Sequence, residues 1–153
     1  MNDRVDDSRL IFSIVLHYRR WLSQLVPTIL PDVDISTQQL NVLYLVRTLD
    51  ASMAEMARIL GVAPTVITGL VDRLESRGLI RREVHPSDRR RIQLVLTDRG
   101  NEISVHIEEA IVSRIQSEVS RFDPSAQEQL RKGLEIFEQL AIGLDASLEQ
   151  DGD

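Results

Sequence analysis

Asp88-Arg89-Arg90-Arg91 holds the longest run of basic charge in the sequence. Three adjacent guanidinium groups repel one another unless an anion meets them, and arginine suits the negative potential of a narrow DNA minor groove. Asp88 stands two residues before Arg90, close enough to hold that guanidinium in one orientation. A second set lies upstream: Pro64, Thr65, Thr68, Gly69 and Arg73, with Asp72 among them. If Ile67, Leu70, Val71 and Leu74 face inward on a helix, this set faces outward, near an N-terminus whose dipole favours phosphate. Short side chains there let backbone approach a groove floor. Both sets point to a polyanionic duplex. Other chemistry finds no constellation. His17, His85 and His106 lack metal-ligand spacing, so no metal is expected. Glu108-Glu109 reads as a solvated face rather than a general acid/base pair. No phosphate-cradling glycine loop, nucleophile elbow or Ser-His-Asp arrangement occurs, so neither an enzyme nor a cofactor is expected.

The elements that must position these residues follow from periodicity. Met53 to Leu60 is apolar at helical spacing through Ala54, Ala57 and Leu60. Gly61-Val62-Ala63 makes a turn, and Pro64 restarts the chain at a first helical position, where its missing N–H costs nothing. The second helix runs from Thr65 to about Arg77, and Gly78 closes it. Two helices joined by a three-residue turn containing glycine form a helix-turn-helix. The period then drops to two: Leu79 to Val84 and Ile92 to Leu96 read as strands, with His85 to Arg91 as the turn between them. The expected fold is mainly α with a small β-hairpin. It is a winged helix-turn-helix domain over 36–100, flanked by an N-terminal dimerisation helix over 1–35 and C-terminal dimerisation helices over 101–153.

The flanks support that assignment. Residues 1 to 7 are polar and expected to fray, with Ser8 capping the helix that follows. Leu10, Ile11, Ile14, Val15, Tyr18, Leu22, Leu25 and Ile29 form a wide apolar stripe, and Pro27 and Pro31 bend or end the helix. Ser36 and Gln39 match a capping box for a helix through Leu40, Leu43, Tyr44 and Val46. Asp50-Ala51-Ser52 reads as a turn. Thr97 is placed to cap a long helix from Asp98 to about Arg121, with Ile103, Ile107, Ala110, Ile111, Ile115 and Val119 buried. Asp123 and Pro124 start a last helix bearing Leu130, Leu134, Phe137, Leu140, Ala141 and Leu144. Terminal helices with apolar faces find little cover within one small chain. Packing across a two-fold axis covers them, and a homodimer is the expected partner.

Composition sets bounds on this reading. The chain has 153 residues, a net charge of −6 and no cysteine, which excludes disulfides and thiolate chemistry. The charge is uneven. Residues 47–99 carry ten arginines against seven acids, whereas residues 100–153 carry four basic residues against twelve acids. The positive charge sits with the motif, and binding responds to the local field. No apolar run approaches the roughly 18 residues of a membrane span, and no signal peptide precedes the fold. A cytoplasmic protein without membrane contact is expected.

With these residues in place, the sequence resembles the MarR (multiple antibiotic resistance regulator) family of transcription factors. The similarity rests on Leu60-Gly61-Val62, the run from Leu70 to Ile80, Asp88-Arg89-Arg90 and Leu96-Thr97-Asp98-Arg99-Gly100. It is strongest over about Ser36 to Gly100. The resemblance implies an obligate homodimer with the second helix of the pair in the major groove. It also implies a wing arginine in the minor groove, with Asp88 and Arg90 as its salt-bridged pair. Ala63 stands where the family often has a serine cap, and Gly69 where many members carry a long basic side chain. The resemblance further implies a cleft for an aromatic or phenolic effector, for which His17, Trp21 and Tyr44 are the candidates. Against that, Trp21 and Tyr44 are also what a packed amphipathic helix needs, and His17 an ordinary exposed residue. The resulting expectation is a ligand-responsive repressor that binds a pseudo-palindromic double-stranded DNA operator as a homodimer. The alternative is a winged-helix module that binds a protein partner without specific DNA binding.

Overall fold

The computed structural model describes residues 3–31, 33–49, 51–85 and 87–150, without the side chains of residues 3–6, 89, 90, 145 and 147–150. The elements follow in the order α1 (Asp3–Ile29), α2 (Thr37–Thr48), α3 (Met53–Leu60), α4 (Pro64–Ser76), β1 (Ile80–His85), β2 (Asp88–Leu96), α5 (Asp98–Val119) and α6 (Pro124–Gln150). This is the expected mainly helical chain with one antiparallel hairpin. Two compact units are present, residues 1–110 and 111–153, and α5 runs from one into the other.

The first unit is built around α2, which touches α1, α3, α4 and β2. Ser36 and Gln39 cap it reciprocally: the Gln39 N–H donates to the Ser36 Oγ at 3.2 Å, and the Ser36 N–H to the Gln39 Oε1 at 3.0 Å. Because several elements surround α2, its buried set is Gln39, Val42, Leu43 and Leu45. Of the four apolar residues on the expected helix, Leu43 is buried, Leu40 and Val46 are half-buried, and Tyr44 is exposed. On α3 the buried pair is Met56 and Ala57, and Ala54 is exposed. On α4, Ile67, Leu70, Val71 and Leu74 are buried as their spacing requires. Each such side chain contributes about 1.5–3 kcal/mol on leaving water.

Two glycines set the helix ends. Gly61 at φ 61° lets the Val62 N–H reach the Ala57 carbonyl at 3.0 Å. Gly78 at φ 68° lets the Leu79 N–H reach the Leu74 carbonyl at 2.9 Å, a Schellman closure with Leu74 and Leu79 both buried. The chain then enters the hairpin, and Thr97 ties its two ends together. The Thr97 hydroxyl donates to the Gly78 carbonyl at 2.7 Å and accepts the Gly100 N–H at 3.0 Å, capping α5 as predicted.

Two boundaries differ from expectation. Helix α1 begins at Asp3, so Ser8 lies inside it rather than at its cap. No glycine or proline interrupts Asp3 to Ser8, and Asp7 adds an acid near the N-terminus, where the dipole favours it. Strand β2 begins at Asp88, so the arginine run belongs to a strand and not to the turn.

In the second unit, Asp123 caps α6 by accepting the Ala126 N–H at 3.0 Å, with Pro124 at the first helical position. Leu130, Leu134, Ile136, Phe137, Leu140, Ile142 and Leu144 are all exposed along α6.

Candidate nucleic-acid interface

Helices α3 and α4 meet at 110°, within the range of a helix-turn-helix. Helix α3 starts at a second capping box, Ser52 with Glu55, which was readable as Ser-x-x-Glu but passed for a plain turn. The Ser52 hydroxyl and backbone N–H hold the Glu55 carboxyl below its ordinary value of 4.5, helped by the charges of Arg91 and Arg58. Helix α4 has no side-chain cap at Ala63, and Pro64 opens it. Its first turn is therefore without a capping oxygen of its own, as the departure at Ala63 implied.

The predicted outward face of α4 is outward. Pro64, Thr65, Thr68, Asp72 and Arg73 are exposed, and Gly69 is half-buried. The Thr68 hydroxyl donates back to the Pro64 carbonyl at 3.1 Å. A Cβ added at Gly69 would meet no atom within 4 Å. Val66, 40% exposed on the flank of the same face, is an apolar residue that sequence reasoning passed over. Its signal was its place one residue before the buried stripe, which turns it away from the core.

Behind α4, Arg82 of β1 joins the hairpin to that helix. Its guanidinium reaches Asp72 through Nη2 at 2.7 Å and Glu75 through Nη1. The hydrogen bond to Asp72 and the charges of both acids raise its pKa above the ordinary arginine value. This residue was also missed. Asp72 and Glu75 share a helix face at i, i+3 and face the first strand after Gly78, and that pattern is its signal.

The hairpin pairs Ile80 with Leu96 through Val84 with Ile92, then His85 with Asp88, with an irregularity between Val84 and His85. Arg89, Arg90 and Arg91 fall within that irregularity. Bulged residues increase local twist and re-aim side chains. The side chains of Arg89 and Arg90 lie outside the described residues, and so does the expected pair between Asp88 and Arg90. Asp88 is exposed. Arg91 is half-buried, and its charge acts on Glu55 at the start of α3.

The three effector candidates each have a local partner. The His17 Nδ1 donates to the Ser13 carbonyl at 2.8 Å. Trp21 meets Tyr18 edge-on with ring centroids 6.0 Å apart. The Arg47 guanidinium lies 5.8 Å from the Tyr44 ring centroid, and Arg47 also pairs with Glu108 of α5. Among the described residues, one cleft of about 320 Å³ is lined by Val33, Asp34, Arg77, Leu79 and Arg99. A second, of about 360 Å³, lies between Arg47, the end of β2 and the first turn of α5. None of the three candidates lines either cleft. No cluster of metal-ligating side chains occurs among the described residues, and no single helix is long and apolar enough to cross a membrane.

A helix-turn-helix clamped to an arginine-bearing hairpin defines a winged helix-turn-helix fold. The protein matches the model of the MarR family over residues 33–91, which hold both helices and most of the wing. It is 26% identical over 106 residues to YfiV, an HTH-type transcriptional regulator of Bacillus subtilis (strain 168), covering 69% of this chain and 66% of that one. It is 38% identical over 64 residues to YkoM, another such regulator of the same organism, covering 42% of each. The chain thus matches less than two thirds of the length of either regulator. The crystal structure of RV1404 from Mycobacterium tuberculosis is similar at a TM-score of 0.70 and 27% identity, over 91% of this chain and 93% of that one.

Proposed function

We propose that the protein is a transcriptional regulator that binds a pseudo-palindromic operator as a homodimer. Two α4 helices would enter successive major grooves about 34–36 Å apart, with the wings beside them. The observation that carries this reading is the Arg82 clamp. It holds a solvent-facing recognition helix and an arginine-rich strand as one rigid surface. The excess of arginine between residues 47 and 99 supplies the local positive field. Repression, relieved when an aromatic or phenolic effector changes the spacing of the two winged domains, is the mode of control we infer. No catalytic role is assigned, and the protein acts in the cytoplasm with the DNA. Its test is gel filtration with a DNA-shift assay at two salt concentrations. The expected result is a dimer whose log affinity falls steeply with log salt, because phosphate contacts release counterions. A lone subunit, or one that ignores DNA in dilute buffer, overturns the reading. A flat salt response favours a protein partner instead.

A further inference from the structure

We propose that α4 reads the 5-methyl groups of thymine, so that each operator half-site presents T·A pairs beneath the stretch Thr65–Gly69. This rests on the reading of α4 as the helix that enters the major groove.

Guanine is usually read by arginine or lysine, adenine by asparagine or glutamine, cytosine by an acid, and the thymine methyl by apolar contact. The first turns of α4 contain no lysine, arginine, asparagine or glutamine. Asp72, an acid on the outward face, is bound to Arg82 at 2.7 Å and is committed to the wing. Arg73 lies eight residues beyond Thr65, about 12 Å further along the axis at 1.5 Å per residue. That distance matches the width of the groove, so with the N-terminus at the groove floor Arg73 meets phosphate at the rim.

Apart from the threonine oxygens, which can bond to any base edge and so discriminate weakly, what remains is apolar. Val66 is 40% exposed although its residue type favours burial. Thr68 commits its hydroxyl proton to the Pro64 carbonyl and presents a methyl group and an acceptor oxygen. Val66 and Thr68 stand on the two flanks of the outward face, with Thr65 and Gly69 between them. Glycine inside a helix costs roughly 1 kcal/mol relative to alanine. At Gly69 no neighbouring atom within this chain demands it. A hollow flanked by two methyl-bearing side chains accepts a methyl group from outside.

The test begins with duplexes selected from a random pool by the full-length chain. Each thymine of a selected duplex is then replaced singly by uracil, which removes the methyl and leaves every hydrogen-bonding group. Uracil at one to three positions of each half-site should weaken binding about fourfold, the value of one buried methyl-sized group. Thr68→Ser, which keeps the hydroxyl and loses the methyl, should abolish the thymine-to-uracil difference at one position. Thr68→Val should preserve it. Val66→Ala, at an exposed position, should abolish it at another without lowering the melting temperature. Uracil tolerated at every position, or a Thr68→Val variant that loses the difference while Thr68→Ser retains it, overturns the proposal with DNA binding intact. A chain that selects no duplex overturns the DNA-binding reading, and this inference with it.

Discussion

Two helical glycines, Gly69 and Gly100, show how far residue type alone can be interpreted. A Cβ at Gly100 would sit 1.9 Å from the Leu79 carbonyl oxygen, so α5 can start beside β1 only because that side chain is missing. Gly100→Ala should therefore destabilise the protein by about 1–3 kcal/mol, the usual cost of overpacking, read as a lower denaturation midpoint. Gly69 behaves in the opposite way. Gly69→Ala should raise stability by about 0.5–1 kcal/mol and still weaken DNA binding, because the new methyl fills space that a base edge needs. If stability and affinity move together, Gly69 is merely structural. The sequence marks both glycines but cannot separate them, since the difference lies in a backbone that packs from another element. Glu55 gives a third test. Its folded pKa is depressed, so its contribution to stability is present above 4.5 and is lost as pH falls through the lowered folded value. Glu55→Gln should melt below the wild type above pH 4.5, and the two should converge on acidification. Parallel melting curves would remove the Ser52 capping box from the account.

Between elements, the decisive contact is Arg82 with Asp72 and Glu75. Its partners are a third or more exposed, so the pair contributes little to global stability, under about 1 kcal/mol. Its effect is directional: it sets the hairpin against α4 and neutralises an acid on the face proposed to meet DNA. Arg82→Ala should thus leave the melting temperature nearly unchanged and weaken operator binding. Adding Asp72→Asn should recover part of the loss by removing the freed carboxylate. A double variant no better than Arg82→Ala would mean that Arg82 acts as a phosphate contact in its own right. Elements with strong local signals were readable in the sequence. The stripe of α4, its glycine closure at Gly78, and the Ser36, Thr97 and Asp123 caps all lie where their residue types require. Three features were not readable. The buried face of α2 is set by four neighbours rather than by a stripe, the start of β2 by a hairpin irregularity, and the start of α1 by helix propagation through a polar segment. Arg82 pairs across the boundary from helix to strand, where the helical period that marks Asp72 and Glu75 does not continue.

At the scale of the whole molecule, the longest rows of exposed apolar side chains among the described residues lie on the terminal helices. Leu10, Phe12, Ile14, Val15, Leu16 and Tyr18 are exposed on α1, and Ile136 is 67% exposed on α6. Polar terminal segments would carry no such surface, and isolated monomers rarely expose contiguous apolar patches of this kind. The acidic excess after residue 100 makes that segment unfavourable for a polyanion, whereas the arginine-rich segment between residues 47 and 99 favours one. In the homodimer proposed above, a second copy of the chain would cover these rows, as in obligate dimers with interfaces of 2,000 Å² and more. Duplication also changes the affinity: two linked winged domains gain about 10²–10⁴-fold over one, because the second binding event becomes intramolecular. Leu134→Glu places a charge in the exposed row of α6 and should convert the dimer to monomers in sedimentation equilibrium. Operator affinity should fall by a factor in that range. The variant's affinity for a single half-site should match that of wild type, since α4 and the wing are untouched. A Leu134→Glu protein that stays dimeric places the interface elsewhere. One that is monomeric yet binds the full operator undiminished removes bivalency from the mechanism.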